Sequence, residues 1–174
     1  PEAAARVAVK ARRNAALNPH AHLKMADLTV EKVMNSKVLA EPVRLLDMCP
    51  QSDGACAVVF ASEGKAENVC ARPAWVHAVA TRHDKPYLGD HGDRLSTMRT
   101  LRSAAQEVYS KLEIREPLKE FDMAEIYEPV TYAELAWYEA LGFCKDGEAG
   151  GLIEDGVTEL TGELPVNPSG GVLS

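Results

Sequence analysis

Cysteine is scarce in this chain of 174 residues: Cys49, Cys56, Cys70 and Cys144 are irregularly spaced, and no Cys-x-x-Cys pair occurs. That pattern excludes a disulfide scaffold and predicts reduced thiols. Long apolar runs are absent too. None approaches the roughly 20 residues that a membrane helix needs, and residues 1–6 lack the apolar stretch of a signal peptide. The expectation is a cytoplasmic protein with no membrane partner. Positive charge is in deficit, with 19 Lys+Arg against 26 Asp+Glu and a formal net charge of −7. The longest basic cluster is Lys10-Ala11-Arg12-Arg13, too small for a phosphate-backbone footprint, so nucleic acid is not an expected partner. The phosphate-loop, dinucleotide, zincin and nucleophile-elbow motifs are all missing, which removes the usual support for those chemistries. His20 and His22 have no third ligand nearby, and His83 and His91 with Asp84, Asp90 and Asp93 read as a solvated loop, so no metal is expected.

What is present is a core-forming sequence, 46% hydrophobic and 26% charged, long enough for one domain or two small ones. An Ala-rich helix within residues 1–24 is stopped by Pro19, and a short helix begins near Thr29. The turn Ser52-Asp53-Gly54 precedes residues 55–61, a small and β-branched run that reads as a strand covered on both faces. Residues 63–72 read as a polar connection, 74–81 as a second strand and 82–96 as an exposed loop. In residues 96–112, Met98, Leu101, Ala105, Val108 and Leu112 recur at spacings of three and four, an amphipathic helix. Residues 121–127 alternate as a strand, residues 132–141 follow as a helix ended by Gly142, and 144–162 read as a long loop with room for a short hairpin. This order predicts an α/β layered domain.

Candidate chemistry falls in two places. A strand ending at residue 127 and passing directly into a helix puts Glu125, Tyr127 and Glu128 at a sheet edge, where α/β proteins build sites. A Tyr there can give a proton or donate to a developing oxyanion. A Tyr packed at a strand end with its hydroxyl on a carbonyl fits the same residues, and chain physics alone favours that packing. The second place is Asn167-Pro168-Ser169-Gly170-Gly171, where paired glycines free the backbone to approach a ligand or a neighbouring strand; an ordinary turn is the plainer account.

Three segments taken in order, 50–59, 124–135 and 164–171, together with Asn18-Pro19, resemble the thiolase superfamily and within it the lipid-transfer-protein (sterol-carrier) branch. The resemblance implies a layered fold of two α/β halves, with residues 1–62 ending the first half and 63–174 beginning the second. It also implies an enzyme that makes or breaks a carbon–carbon bond in an acyl-CoA thioester, with coenzyme A as substrate rather than resident cofactor. Dimers are the rule in that family, and some branches pair with a small zinc-ribbon and OB-fold protein. On this alignment the family's nucleophilic Cys falls before Pro1 and its catalytic His after Ser174, so the chain is expected to be part of a longer protein. Tyr127 stands where thiolases carry Asn and the lipid-transfer branch His. Tyrosine there fits a steroid side-chain retro-aldolase branch, which gives the alternative activity. The implied catalytic residues are Tyr127 and Glu125, and the implied substrate-binding residues are Asn167, Gly170 and Gly171.

Overall fold

The computed structural model describes residues 1–84 and 97–174. Asp90, His91 and Asp93 lie outside the described residues. The architecture is organised by α1 (Glu2–Leu17), whose small side chains allow other elements to approach from nearly every side. Ala4, Ala5, Val7, Ala8, Ala11 and Ala15 are all buried, and so are the polar Lys10, Arg12 and Asn14. Only a narrow stripe through Glu2, Arg6, Arg13 and Ala16 reaches solvent, and with small and polar side chains on the buried side its period is hard to read. Pro19, just beyond the cap residue Asn18, prevents continuation.

α2 (Val30–Met34) is capped by Thr29, whose Oγ1 accepts from the Lys32 N–H at 3.2 Å, and it seats Val33 against Ala5 and Ala8. A short antiparallel ribbon, β1 (Val38–Ala40) with β2 (Val43–Arg44), leads into a single 3₁₀ turn at Leu45–Asp47. Buried Asp47 accepts from the Arg44 N–H and from Thr131 Oγ1, both at 2.8 Å, which ties this turn to the helix that begins at Thr131.

Two expected strands do not form. Residues 55–61 and 74–81 form no regular element and pair with no described strand, and Val59 is 91% exposed, with Val58, Phe60, Val76 and Val79 also largely in solvent. Apolar composition reports a demand for burial; a strand additionally needs neighbours for its N–H and C=O groups, and none of the described chain supplies them. The connection between them also differs from expectation, because residues 63–69 form α3 (Glu63–Val69).

The remaining helices follow the sequence more closely. α4 (Arg99–Leu112) ends at Glu113 in the left-handed region, and Tyr109 reaches across to donate to the Leu141 carbonyl at 2.7 Å. After α5 (Pro117–Glu120), residues 121–130 form no helix, bend at Asp122 and Pro129, and carry two isolated bridges. The expected strand at 121–127 is reduced to one parallel bridge, Ala124 with Val166, because a single neighbour runs beside it. α6 (Thr131–Ala140) closes through Gly142, whose φ of 73° lets Phe143 N–H return to the Tyr138 carbonyl at 2.9 Å. The expected loop at 144–162 contains α7 (Ala149–Glu154) instead of a hairpin. Gly150 and Gly151 mask its period, and a Cβ on Gly150 would meet Ala3 at 3.6 Å, an ordinary contact across the packed α1 and α7. Ile126, Tyr138, Phe143, Leu164 and Val166 form the main core, each large apolar side chain contributing roughly 1.5–3 kcal/mol on burial.

Candidate active site around the glycine turn

The extended segment 124–128 and the turn 166–171 are stitched side by side. Ala124 N–H donates to Pro165 O at 2.9 Å, and Asn167 N–H returns to Ala124 O at 2.8 Å. Asn167, with φ of 52°, then uses its side chain: Oδ1 accepts from Ile126 N–H at 2.8 Å, and Nδ2 donates to Glu134 Oε2 at 3.0 Å. Its carbonyl takes Gly170 N–H at 3.0 Å and Asn14 Nδ2 at 3.1 Å. Every polar group of this buried residue is therefore engaged by protein.

Glu125 crosses from the segment to the turn, accepting from Ser169 N–H at 3.0 Å and Ser169 Oγ at 2.9 Å. Tyr127 lies two residues further on, 61% exposed, its hydroxyl without a hydrogen bond to the described residues. The phenol is thus free toward solvent rather than packed on a carbonyl. Gly170 and Gly171 adopt φ of 102° and 63°, and neither tolerates a side chain. A Cβ on Gly170 would come 2.7 Å from Ala15 Cβ, and one on Gly171 would come 1.9 Å from Glu128 Oε1. Their role visible here is close approach to α1 and to Glu128.

Glu128 is fully buried beneath this turn. Its Oε1 accepts from Leu173 N–H at 3.1 Å, while Oε2 has no hydrogen-bond partner. Burial pushes its carboxyl up to about 7 despite the donated N–H, and the nearby Glu134 adds in the same direction. Arg12, buried on the far side, donates to Ser174 Oγ at 3.0 Å and, more weakly, to Met48 O at 3.4 Å; burial lowers its affinity for a proton. In front, a cleft of about 400 Å³ opens between Asn18, His20, Ser52, Asp53, Ser169 and Gly171. His22 Nδ1 and Ser52 Oγ are 2.6 Å apart at its edge.

The structure thus gathers Glu125, Tyr127, Asn167, Gly170 and Gly171 on two adjoining segments. Sequence reasoning did not single out Lys10, Asn14, Glu134 and Tyr138, which hold Asn167 from behind. All four cysteines are free thiols, and among the described residues no group of three His, Cys, Asp or Glu could hold a metal ion. No helix among them is long and apolar enough to cross a membrane.

Helices around a small pairing of chain segments, with an exposed phenol near a glycine turn, define an α/β protein of the layered kind with a candidate site at a segment end. The family model described as Thiolase C-terminal domain-like matches residues 80–174, more than half of the chain, and the chain belongs to that thiolase-like family. An acetyl-CoA acetyltransferase of Methanothermobacter thermautotrophicus is 36% identical over 171 residues, covering 98% of this chain and 44% of the relative. A 17-hydroxy-3-oxo-4-pregnene-20-carboxyl-CoA lyase of Mycobacterium tuberculosis is 32% identical, covering 96% and 44% respectively. Among solved structures, an Ltp2-ChsH2(DUF35) aldolase superposes with a TM-score of 0.86 at 34% identity, covering 99% of this chain and 45% of that one. The fold is therefore thiolase-like, and the chain spans less than half the length of these relatives.

Proposed function

We propose that this chain serves an enzyme that makes or breaks a carbon–carbon bond in an acyl-CoA thioester, a thiolase-like acyltransferase. The observation that carries the reading is the exposed Tyr127 phenol beside the Glu125–Ser169 bridge and the glycine turn, in a chain related to acyl-CoA enzymes. Residues 1–62 would close one α/β half and 63–174 open the next. Coenzyme A is substrate here, with no resident cofactor or metal. Tyr127 is the hydrogen-bond donor to the thioester oxygen, Glu125 holds the turn, and Asn167, Gly170 and Gly171 shape the thioester pocket. A homodimer in the cytoplasm belongs to the same reading. The solved neighbour joins two proteins, Ltp2 and ChsH2, which supports a second subunit, here a small zinc-ribbon and OB-fold protein.

The free phenol also favours a second reading, retro-aldol cleavage of a β-hydroxyacyl-CoA. The hydroxyl proton leaves, the Cα–Cβ pair moves onto the α carbon, and a thioester enolate departs from a ketone or aldehyde before taking a proton. Tyr127 would accept the hydroxyl proton or donate to the enolate oxygen. Thiolysis consumes free coenzyme A and yields two thioesters; retro-aldol cleavage consumes none and yields one. Offering the full-length protein a β-ketoacyl-CoA with coenzyme A, and separately a β-hydroxyacyl-CoA, separates the two. Tyr127→Phe is expected to lower turnover about 10²-fold on the active substrate. Unchanged turnover would leave Tyr127 outside the chemistry, and no turnover of either substrate would sink the proposal.

A further inference from the structure

The proposed chemistry uses the front of the site, but a larger buried polar cluster lies behind it. Lys10 Nζ is 2.5 Å from Glu134 Oε1 and donates to Tyr138 OH at 3.0 Å, with both charged side chains wholly out of solvent. Tyr138 donates to the same Glu134 oxygen and meets Thr158 Oγ1 at 3.1 Å. The other Glu134 oxygen takes Asn167 Nδ2.

A buried ion pair of this kind is poorly explained by stability, since removing two charges from water offsets much of their attraction, and apolar residues of equal volume would pack as well. What apolar residues lack is polarity that can be passed along. Lys10 only donates, ionised Glu134 only accepts, and so Asn167 must present its NH₂ to Glu134 and its oxygen to Ile126 N–H. That fixes the Asn167 amide in one of its two orientations. The same residue carries the left-handed backbone that starts the glycine turn and takes Gly170 N–H on its carbonyl. Ile126 immediately precedes Tyr127.

We infer that Glu134, with Lys10 as its buried counter-charge, is a positioning residue for the acyl-CoA reaction: by giving Asn167 Nδ2 an acceptor it holds Tyr127 and the glycine turn in one mutual geometry. This rests on the function proposed above, so its test carries a readout that does not depend on turnover. In the full-length protein, Lys10→Met/Glu134→Gln removes both charges but keeps an acceptor for Asn167, whereas Lys10→Met/Glu134→Leu removes the acceptor as well. The glutamine double is expected to keep kcat within about threefold of the unaltered protein. The leucine double is expected to lose about tenfold or more in kcat at nearly constant KM, with the Ile126 and Gly170 amides exchanging hydrogen at least about tenfold faster than in the glutamine double. Equal kcat and equal exchange in the two doubles would overturn the inference.

Should the leucine double fail to fold, Asn167→Asp keeps the shape but sets a carboxylate against Glu134; its kcat is expected to recover as pH falls and the new carboxyl becomes a donor. A pH profile parallel to that of the unaltered protein would overturn the inference. If the unaltered protein turns over no acyl-CoA, the function fails first, and the exchange comparison still decides whether the acceptor at position 134 fixes the turn.

Discussion

Two regions of this chain carry comparable apolar demand and meet opposite fates. Residues 164–174 bury Leu164, Val166 and Leu173 and find internal partners for their backbone and side chains on α1, α6 and segment 124–128. Residues 55–61 and 74–81 are at least as apolar, yet Val59, Phe60 and Val76 face solvent and no described strand pairs with them. The difference lies in the polar groups more than in hydrophobicity. A turn closed by Asn167, Ser169 and Glu128 completes its hydrogen bonding from neighbours in this chain, whereas an interior strand depends on whatever runs along both of its edges.

The largest effect that would break this comparison falls on the buried hub. Lys10→Met leaves Glu134 buried without its cation and is expected to cost about 4 kcal/mol in denaturant unfolding; a loss below about 1 kcal/mol would mean that water reaches the pair. Gly171→Ala drives a methyl group into the Glu128 carboxyl at a backbone angle that favours glycine, with an expected cost of about 3 kcal/mol. An unperturbed unfolding midpoint would show that the turn relaxes freely.

Next is pH. Glu128 titrates near 7 in the folded chain and near 4.5 when unfolded, so the folded state binds the extra proton between those values. Stability from this group is full below about 4.5 and is lost as pH rises through 7, by about 3 kcal/mol. Glu128→Gln is expected to flatten that slope, and an unchanged slope would assign it elsewhere. The smallest effect belongs to the exposed run. Val59→Lys is expected to shift the stability of this chain by less than about 0.5 kcal/mol. A much larger loss when the same change is made in the full-length protein would show that residues 55–61 become paired there.

Helices were legible where one face alone meets the core. The three- and four-residue spacing in α4 and the Gly142 stop after α6 locate both helices. α3 was hidden by its polar composition and α7 by two glycines, while the Ala-rich α1 was legible only as a helix, not as the centre of the packing. At the site, Glu125, Tyr127 and the turn glycines could be marked from local pattern. Their supports could not, because Lys10 and Glu134 are 124 positions apart and nothing local announces that they meet.

By itself the sequence determined the helical periods, the stop after α6, the two segments that carry the candidate site and, by resemblance, the thiolase-like family. Only the tertiary structure decided that Tyr127 stands free, that Asn167 is wholly committed to the protein, and that apolar residues 55–61 stay in solvent. Those outcomes depend on which donors, acceptors and surfaces arrive from distant parts of the chain, and local sequence encodes the demand for such partners without encoding their arrival.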